Sequence, residues 1–397
     1  MTTRLRPLAA LLVAIFASNL AACSSDDDDA GGAPRRAAFP APTWEMRTPE
    51  EQGMDQAGID AALAYAFGEK KHTQGVVVIR GRAIVAERYE PGRDERAWAA
   101  SWSVAKSFTS AAVGIAIGQG LIPNVDVPMT DYFPNWAGTQ KESIRLRHVL
   151  NMASGLAWAE DYDPTTTTTS DVIQMVLTND ALAYAESRPA ANPPGTEFNY
   201  SSGDTMLVSR VLELATGSSA EEFATQHLFT KIGMGPTDWW RDARSRTLTY
   251  CCLDTPSREF AKLGLLFLER GTWDGTEVVP ESWVQESLEP SASFAGYGYF
   301  WWLTGRDPGR PSAELPEDTF SARGHDGQYI YVIPSLDLVV VRNGRYDKHP
   351  GDSLADPNLI AFYPPDGFVP ERGTRPPEDG WSDAEFLGPI VRSIRER

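Results

Sequence analysis

The sequence predicts an α+β fold: one antiparallel sheet built from both chain ends, flanked by helices and interrupted by an inserted, mainly helical region. Three observations carry this. β-Branched runs occur early, at Val76 to Ile79 and Ala83 to Arg88. Strand patterns return late, at Tyr297 to Leu303, Gln328 to Ile333 and Asp337 to Arg342. Between them, from about Pro123 to Pro290, the pattern is mainly helical with long loops. A chain of 397 residues with 42% apolar and 10% aromatic content suits a core of enzyme size. Its net charge of −18 argues against nucleic acid and against electrostatic docking on anionic lipid.

The first residues read as an address. Arg4 and Arg6 precede the apolar run Leu8 to Phe16, which is too short to span a bilayer. The run ends in Leu20-Ala21-Ala22-Cys23, so residues 1–22 are expected to be a secretory signal. That ending resembles the bacterial lipobox, which implies lipidation of Cys23 and stable anchoring by two or more acyl chains. An ordinary signal peptide with a chance cysteine is the alternative. By the same resemblance, Ser24 implies outer-membrane sorting in a Gram-negative envelope. Residues 23–42, with Asp26 to Asp29 followed by Gly, Ala and Pro, read as a solvated tether. The remainder, 43–397, is expected to be one domain, with sheet parts at about 43–122 and 291–397 and a helical part at about 123–290. Of the three cysteines, Cys251 and Cys252 remain; adjacent cysteines rarely bridge without strain, so no disulfide framework is expected. The five histidines lack metal-ligand spacing, and no Gly-rich phosphate loop occurs. No metal and no cofactor are expected.

Along the mature chain, Asp55 to Phe67 reads as an amphipathic helix, capped by Asp55 and stopped near Gly68. Arg80-Gly81-Arg82 separates two strands as a hairpin turn. The stretch from Ser103 to Ile117 is apolar nearly all round, the mark of a buried helix. Leu207 to Ala215 and Phe260 to Leu268 are the clearest later helices, while Pro164 to Thr169 and Pro189 to Phe198 read as loops. Pro334-Ser335 makes a short turn between two strands, and Pro364 to Pro377 is a proline-rich surface segment. Ser382 and Glu385 form a capping box for a closing helix to Ile394, with Pro389 inside it.

The chemistry centres on Trp102-Ser103-Val104-Ala105-Lys106. On a helix, positions i and i+3 share a face, so the Lys106 amine lies beside the Ser103 hydroxyl. Burial lowers an amine's pKa and lets it take the serine proton. The helix N-terminus supplies N–H groups where an oxyanion forms. The alternative is an N-cap serine with a snorkelling lysine. Tyr200 follows a Pro-Gly loop and precedes a helix; beside a lysine cation its pKa is expected to fall, fitting it to carry a proton to the leaving group. A tyrosine packed by its ring is the alternative. Ala322 to Gln328 precedes a strand, and its glycines allow close backbone approach; a plain turn is the alternative.

Together, Ser103-Val104-Ala105-Lys106, Tyr200-Ser201-Ser202 and Gly324 to Gln328 resemble, in order and rough spacing, the serine β-lactamase and penicillin-binding family. His148 to Leu156 is similar to its class C-like esterase branch. Tyr200-Ser201-Ser202 and Glu160-Asp161-Tyr162 resemble the 6-aminohexanoate-dimer (nylon oligomer) hydrolase group within that branch. The resemblance implies a β-lactamase-like fold and an acyl-enzyme mechanism with Ser103, Lys106 and Tyr200 as the catalytic set. It implies an oxyanion hole from the backbone of Ser103 and His325, support from Ser202 and Gly324, and Tyr162 and Trp158 on the leaving-group side. The small-molecule substrate is then an ester or amide. One departure matters: the family's Lys-Thr-Gly lacks its lysine here. Ala322-Arg323-Gly324 is the preferred occupant of that strand position, making His325 the oxyanion residue; His325-Asp326-Gly327 is the other, making it Gln328. A carboxylate-bearing β-lactam thereby loses its main partner, unless Arg323 or His325 compensates. A β-lactamase or D,D-carboxypeptidase, and a catalytically silent envelope lipoprotein, are the alternative functions.

Overall fold

The structure is a computed structural model that describes residues 34–40, 42–162, 166, 168–310, 312–347, 373–374 and 376–395. The expected signal, Cys23, most of the tether and residues 364–372 lie outside them. The strands are β1 Thr73–Arg80, β2 Ala83–Tyr89, β3 Trp98–Ala100, β4 Asp238–Trp239, β5 Leu253–Pro256, β6 Thr272–Trp273, β7 Thr276–Glu277, β8 Phe320–Gly324, β9 Gln328–Ile333, β10 Leu338–Gly344, β11 Tyr346–Asp347 and β12 Gly373–Thr374. The helices are α1 Gln56–Ala66, α2 Ala105–Gly118, α3 Leu146–Leu150, α4 Asp171–Val176, α5 Ala181–Ser187, α6 Ser202–Thr216, α7 Ala220–Ala224, α8 Ser257–Leu268, α9 Glu281–Ser287 and α10 Asp383–Ser393.

One five-stranded sheet has the order β2-β1-β10-β9-β8, every pair antiparallel. Its centre joins the two ends of the chain: Val77 pairs with Val341, Val78 with Val340 and Ile79 with Val339. Each of these strands is apolar on both faces because both are covered. Val77, Ile79, Ile330, Val332, Val339 and Val341 pack on the side of α2 and α8. Val76, Val78, Tyr331, Ile333, Leu338 and Val340 pack on the side of α1 and α10. Helix α8 lies so close to the sheet that a Cβ on Gly264 would stand 2.7 Å from Val339 Cγ1. The expected sheet from both termini, with helices inserted between, is the architecture observed.

Three local readings need correction. Tyr297 to Leu303 is not a strand; it makes only isolated bridges, Tyr297 with Trp302 and Trp302 with Ser321, and Phe300 has φ 60°. Its aromatic rings pack into different neighbours rather than alternating across a pleat. The edge strand is β8 instead, where the resemblance had preferred Ala322-Arg323-Gly324. Asp55 precedes α1 without capping it: its carboxylate pairs with Arg395 at 2.8 Å. Cys251 and Cys252 are disulfide-bonded to each other, against expectation, where the backbone reverses with φ 68° at Cys252. The region 123–290 also contributes β4 and β5, which join β3 in a small sheet of order β3-β5-β4. Ser382 does cap α10, accepting from Glu385 N at 3.2 Å, and Pro389 is accommodated within that helix.

Candidate active site

The site forms where β3 runs into α2. Ser101 N donates to Leu253 O at 2.9 Å, and Leu253 N donates to Ser101 Oγ at 2.8 Å, clamping the approach to β5. The chain then turns sharply: Trp102 has φ 43°, and Ser103 lies in a 3-10 turn, Trp102–Val104, rather than in the helix it was expected to open. Lys106 follows as the second residue of α2. Every residue from Ala105 to Ala116 is buried, as an all-round apolar helix requires.

Lys106 is 1% exposed, and its Nζ lies 3.0 Å from Ser103 Oγ, 3.1 Å from Ser202 Oγ and 2.9 Å from Tyr250 O. The Tyr250 carbonyl is held in place by its neighbour Thr249. Thr109 Oγ1 on α2 donates to Thr249 O, and Thr249 Oγ1 donates to Thr205 O on α6, both at 2.7 Å. Burial pushes the Lys106 ammonium down to about 8, against the opposing pull of the Glu160 charge. That opposing charge is too small to restore the ordinary value.

The Ser103 side chain lies close enough to the Tyr200 phenol to oppose the rise of its pKa, and the Lys106 amine sits 5.0 Å from the centre of its ring. Its ring stacks on Trp302, centroids 5.5 Å apart, and meets Tyr297 edge-on. Burial, aided by the Glu160 charge, raises its phenol rather than lowering it, which corrects the expectation from sequence. Tyr200 therefore stays a protonated phenol over the working pH range.

Ser201 caps α6 by accepting from Asp204 N at 2.9 Å, which puts Ser202 at the first helical position facing Lys106. Ser154 fastens this helix from below, donating to Asp204 Oδ1 at 2.7 Å; burial holds the Asp204 carboxyl up to about 7. Glu160 closes the far side. Its Oε1 accepts from Ser202 Oγ at 2.6 Å and Tyr162 OH at 2.5 Å. Its Oε2 accepts from Ser202 N at 2.9 Å and Trp158 Nε1 at 2.5 Å. Trp158 is buried with its ring against Gly203, so it supports α6 and Glu160 from within. Tyr162 stacks on the His325 ring, centroids 4.5 Å apart.

The end of β8 abuts the Trp102–Val104 turn. A Cβ on Gly324 would lie 2.3 Å from Ser101 O and 3.2 Å from Ser103 N, so only glycine fits there. Ala322-Arg323-Gly324 is thus the strand segment beside Ser103, with His325 next to it. Gln328 lies across the sheet on β9, paired with Gly324; it is buried, and its Oε1 accepts from Asn343 Nδ2 and Gly344 N. Arg323 pairs in register with Tyr329 and turns to the α10 face, where it meets Asp383 at 3.1 Å and Thr304 Oγ1 at 3.0 Å. It does not replace the missing lysine.

Of the residues singled out from sequence, Ser103, Lys106, Tyr200, Ser202, Gly324, His325, Tyr162 and Trp158 are gathered in one place, whereas Arg323 and Gln328 turn elsewhere and Cys23 lies outside the described residues. The parts that sequence reasoning missed are the Tyr250 carbonyl and the Glu160 carboxylate. A backbone carbonyl carries no residue signal; Glu160 was noted only as a neighbour of Tyr162. A family model described as Beta-lactamase matches residues 50–361.

The chain belongs to the beta-lactamase family.

Among relatives of this beta-lactamase-family protein is the 6-aminohexanoate-dimer hydrolase of Paenarthrobacter ureafaciens, 26% identical over 310 residues, covering 69% of this chain and 73% of that one. Two solved structures share the beta-lactamase-like fold. One is a penicillin binding protein from Bacillus halodurans, with TM-score 0.57, 17% identity, and coverage of 72% of this chain and 96% of that one. The other is EstCE1, a hydrolase with promiscuous acyltransferase activity, with TM-score 0.62, 12% identity, and coverage of 85% and 98%. Among the described residues, no group of three or more His, Cys, Asp or Glu is placed to hold a metal ion, and no helix is long and apolar enough to cross a membrane.

Proposed function

We propose that this protein is a serine hydrolase that cleaves an ester or amide bond through an acyl-enzyme. The observation that carries the reading is the buried Lys106 amine 3.0 Å from Ser103 Oγ, with its pKa brought down toward neutrality. Neutral Lys106 takes the Ser103 proton as the hydroxyl attacks the carbonyl carbon. The N–H groups of Ser103 and His325 hold the developing oxyanion. Tyr200, beside Ser103 and with the Lys106 amine 5.0 Å from the centre of its ring, relays the proton to the leaving alcohol or amine, and water then releases the acyl group.

Labelling tests this directly. A fluorophosphonate should acylate Ser103, and p-nitrophenyl acetate should turn over; Ser103→Ala should abolish both. Lys106→Ala should lose at least about two orders of magnitude in rate. Labelling that persists in Ser103→Ala sinks the assignment.

A β-lactamase or D,D-carboxypeptidase is the second reading, and the family match favours it. Ala322 in place of lysine, with Arg323 engaged by Asp383, speaks against it. Nitrocefin turnover at a rate comparable with the best ester would reverse that preference. The proposal extends to address: export and lipidation at Cys23 in a bacterial envelope. Radiolabelled palmitate should enter the intact protein and not Cys23→Ala.

A further inference from the structure

We propose that Glu160, acting through Ser202, sets the direction of the Lys106 lone pair and is thereby a positioning residue of the reaction; this rests on Lys106 being the base for Ser103. As an ammonium, Lys106 has three protons for its three neighbours, Ser103 Oγ, Ser202 Oγ and Tyr250 O. As the neutral amine, the only form able to accept a proton, it has two protons and one lone pair. A carbonyl oxygen can only accept, so Tyr250 O takes one N–H. The other neighbours are both hydroxyls, and either could face the lone pair.

Glu160 decides between them. Its Oε1 accepts the Ser202 hydroxyl proton at 2.6 Å. With that proton committed, Ser202 Oγ can only accept from the amine and takes the second N–H. The lone pair is left facing Ser103. The carboxylate is fixed in turn by two N–H groups at Oε2, those of Trp158 Nε1 and Ser202 N, which can only donate.

Replacing Glu160 with glutamine reverses the device. The carboxamide oxygen stays with the two N–H donors, so the amide NH2 faces Ser202 Oγ. That oxygen then accepts, and its own proton turns toward the Lys106 lone pair, occupying the base.

Charge and orientation leave different marks on the pH profile. Removing the Glu160 charge lowers the Lys106 pKa, which alone shifts the inflection to lower pH and leaves the high-pH plateau intact. Loss of orientation lowers the plateau. For Glu160→Gln, the plateau rate of fluorophosphonate labelling should fall about 100-fold, while KM for p-nitrophenyl acetate stays within about twofold. Ser202→Ala should lose about three- to tenfold, and Glu160→Gln/Ser202→Ala should be no slower than Ser202→Ala alone, because no hydroxyl remains to be turned. An unchanged plateau in Glu160→Gln, or losses that multiply in the double variant, overturns the proposal. Should Glu160→Gln not fold by circular dichroism, Ser202→Ala decides: a wild-type plateau overturns the proposal and the stated loss supports it. Failure of the underlying base assignment is visible separately, as a Lys106→Ala variant that keeps its rate.

Discussion

Lys106 is enclosed by α2, α6 and the Tyr250 loop, with its amine reaching two hydroxyls and a carbonyl but no carboxylate directly. Its ammonium is therefore penalised, and its pKa of about 8 instead of 10.5 corresponds to about 3 kcal/mol at neutral pH. Between about pH 8 and 10.5 the unfolded chain binds more protons than the folded one, so stability tied to this group rises with pH across that window. Below about 8 the penalty is complete. Lys106→Met should accordingly be inactive yet more stable than the wild type at pH 7, by up to about 3 kcal/mol in urea unfolding, less the lost hydrogen bonds. That advantage should shrink as pH rises through 8 toward 10.5; a constant difference would show that burial of the charge is not its source. With Lys106 as the proposed base, the same group should set the pH–rate profile. Only the neutral amine accepts a proton, so kcat/KM should rise about tenfold per pH unit below about 8 and level off above it. At this scale the Ser103–Lys106 pair was legible, because i,i+3 geometry is local. The direction of the Tyr200 shift was not, because burial is set by residues far along the chain.

The element that completes the site is the β8 edge. Its last residue, Gly324, faces Ser101 O and Ser103 N with no room for a Cβ. Gly324→Ala should push β8 away from the nucleophile turn. The expected result is a loss of about 100-fold or more in Ser103 acylation and about 1–3 kcal/mol of stability, as in overpacked cores. Acylation at the wild-type rate would detach this strand from the oxyanion site. Helix α2 was legible as an element because its apolar surface has no polar side. Strand β8 was legible only through the family resemblance, which placed Ala322-Arg323-Gly324 on it; by its own residues the segment is short, ends in glycine and could equally be a turn. It is a strand because β9 pairs with it and Asp383 on α10 covers Arg323. Tyr297 to Leu303 failed in the opposite way, since its aromatic content mimics a strand while its rings serve several separate contacts.

Across the molecule, the Trp102–Val104 turn hangs from a sheet whose centre is a pairing of β1 with β10, residues some 260 positions apart in sequence, as in Val77 with Val341. Helical insertion and sheet cannot be separated without stripping the sheet of β8, β9 and β10. A fragment ending before Phe320 should therefore fail to fold, leaving β1 as an unpaired apolar edge; a soluble fragment with a sharp near-ultraviolet circular dichroism spectrum and a cooperative melt would disprove this. Residue order alone specified the sheet built from both ends, the buried helix, and the succession of Ser103, Lys106, Tyr200 and Gly324, because apolar periodicity and short motif spacing are properties of neighbouring residues. Folding in three dimensions was needed to turn Arg323 toward Asp383, to join Cys251 to Cys252, and to bring the Tyr250 carbonyl to the amine and Glu160 to Ser202 beside it. Those outcomes depend on which distant backbone comes to lie beside which side chain, and local pattern carries no record of that.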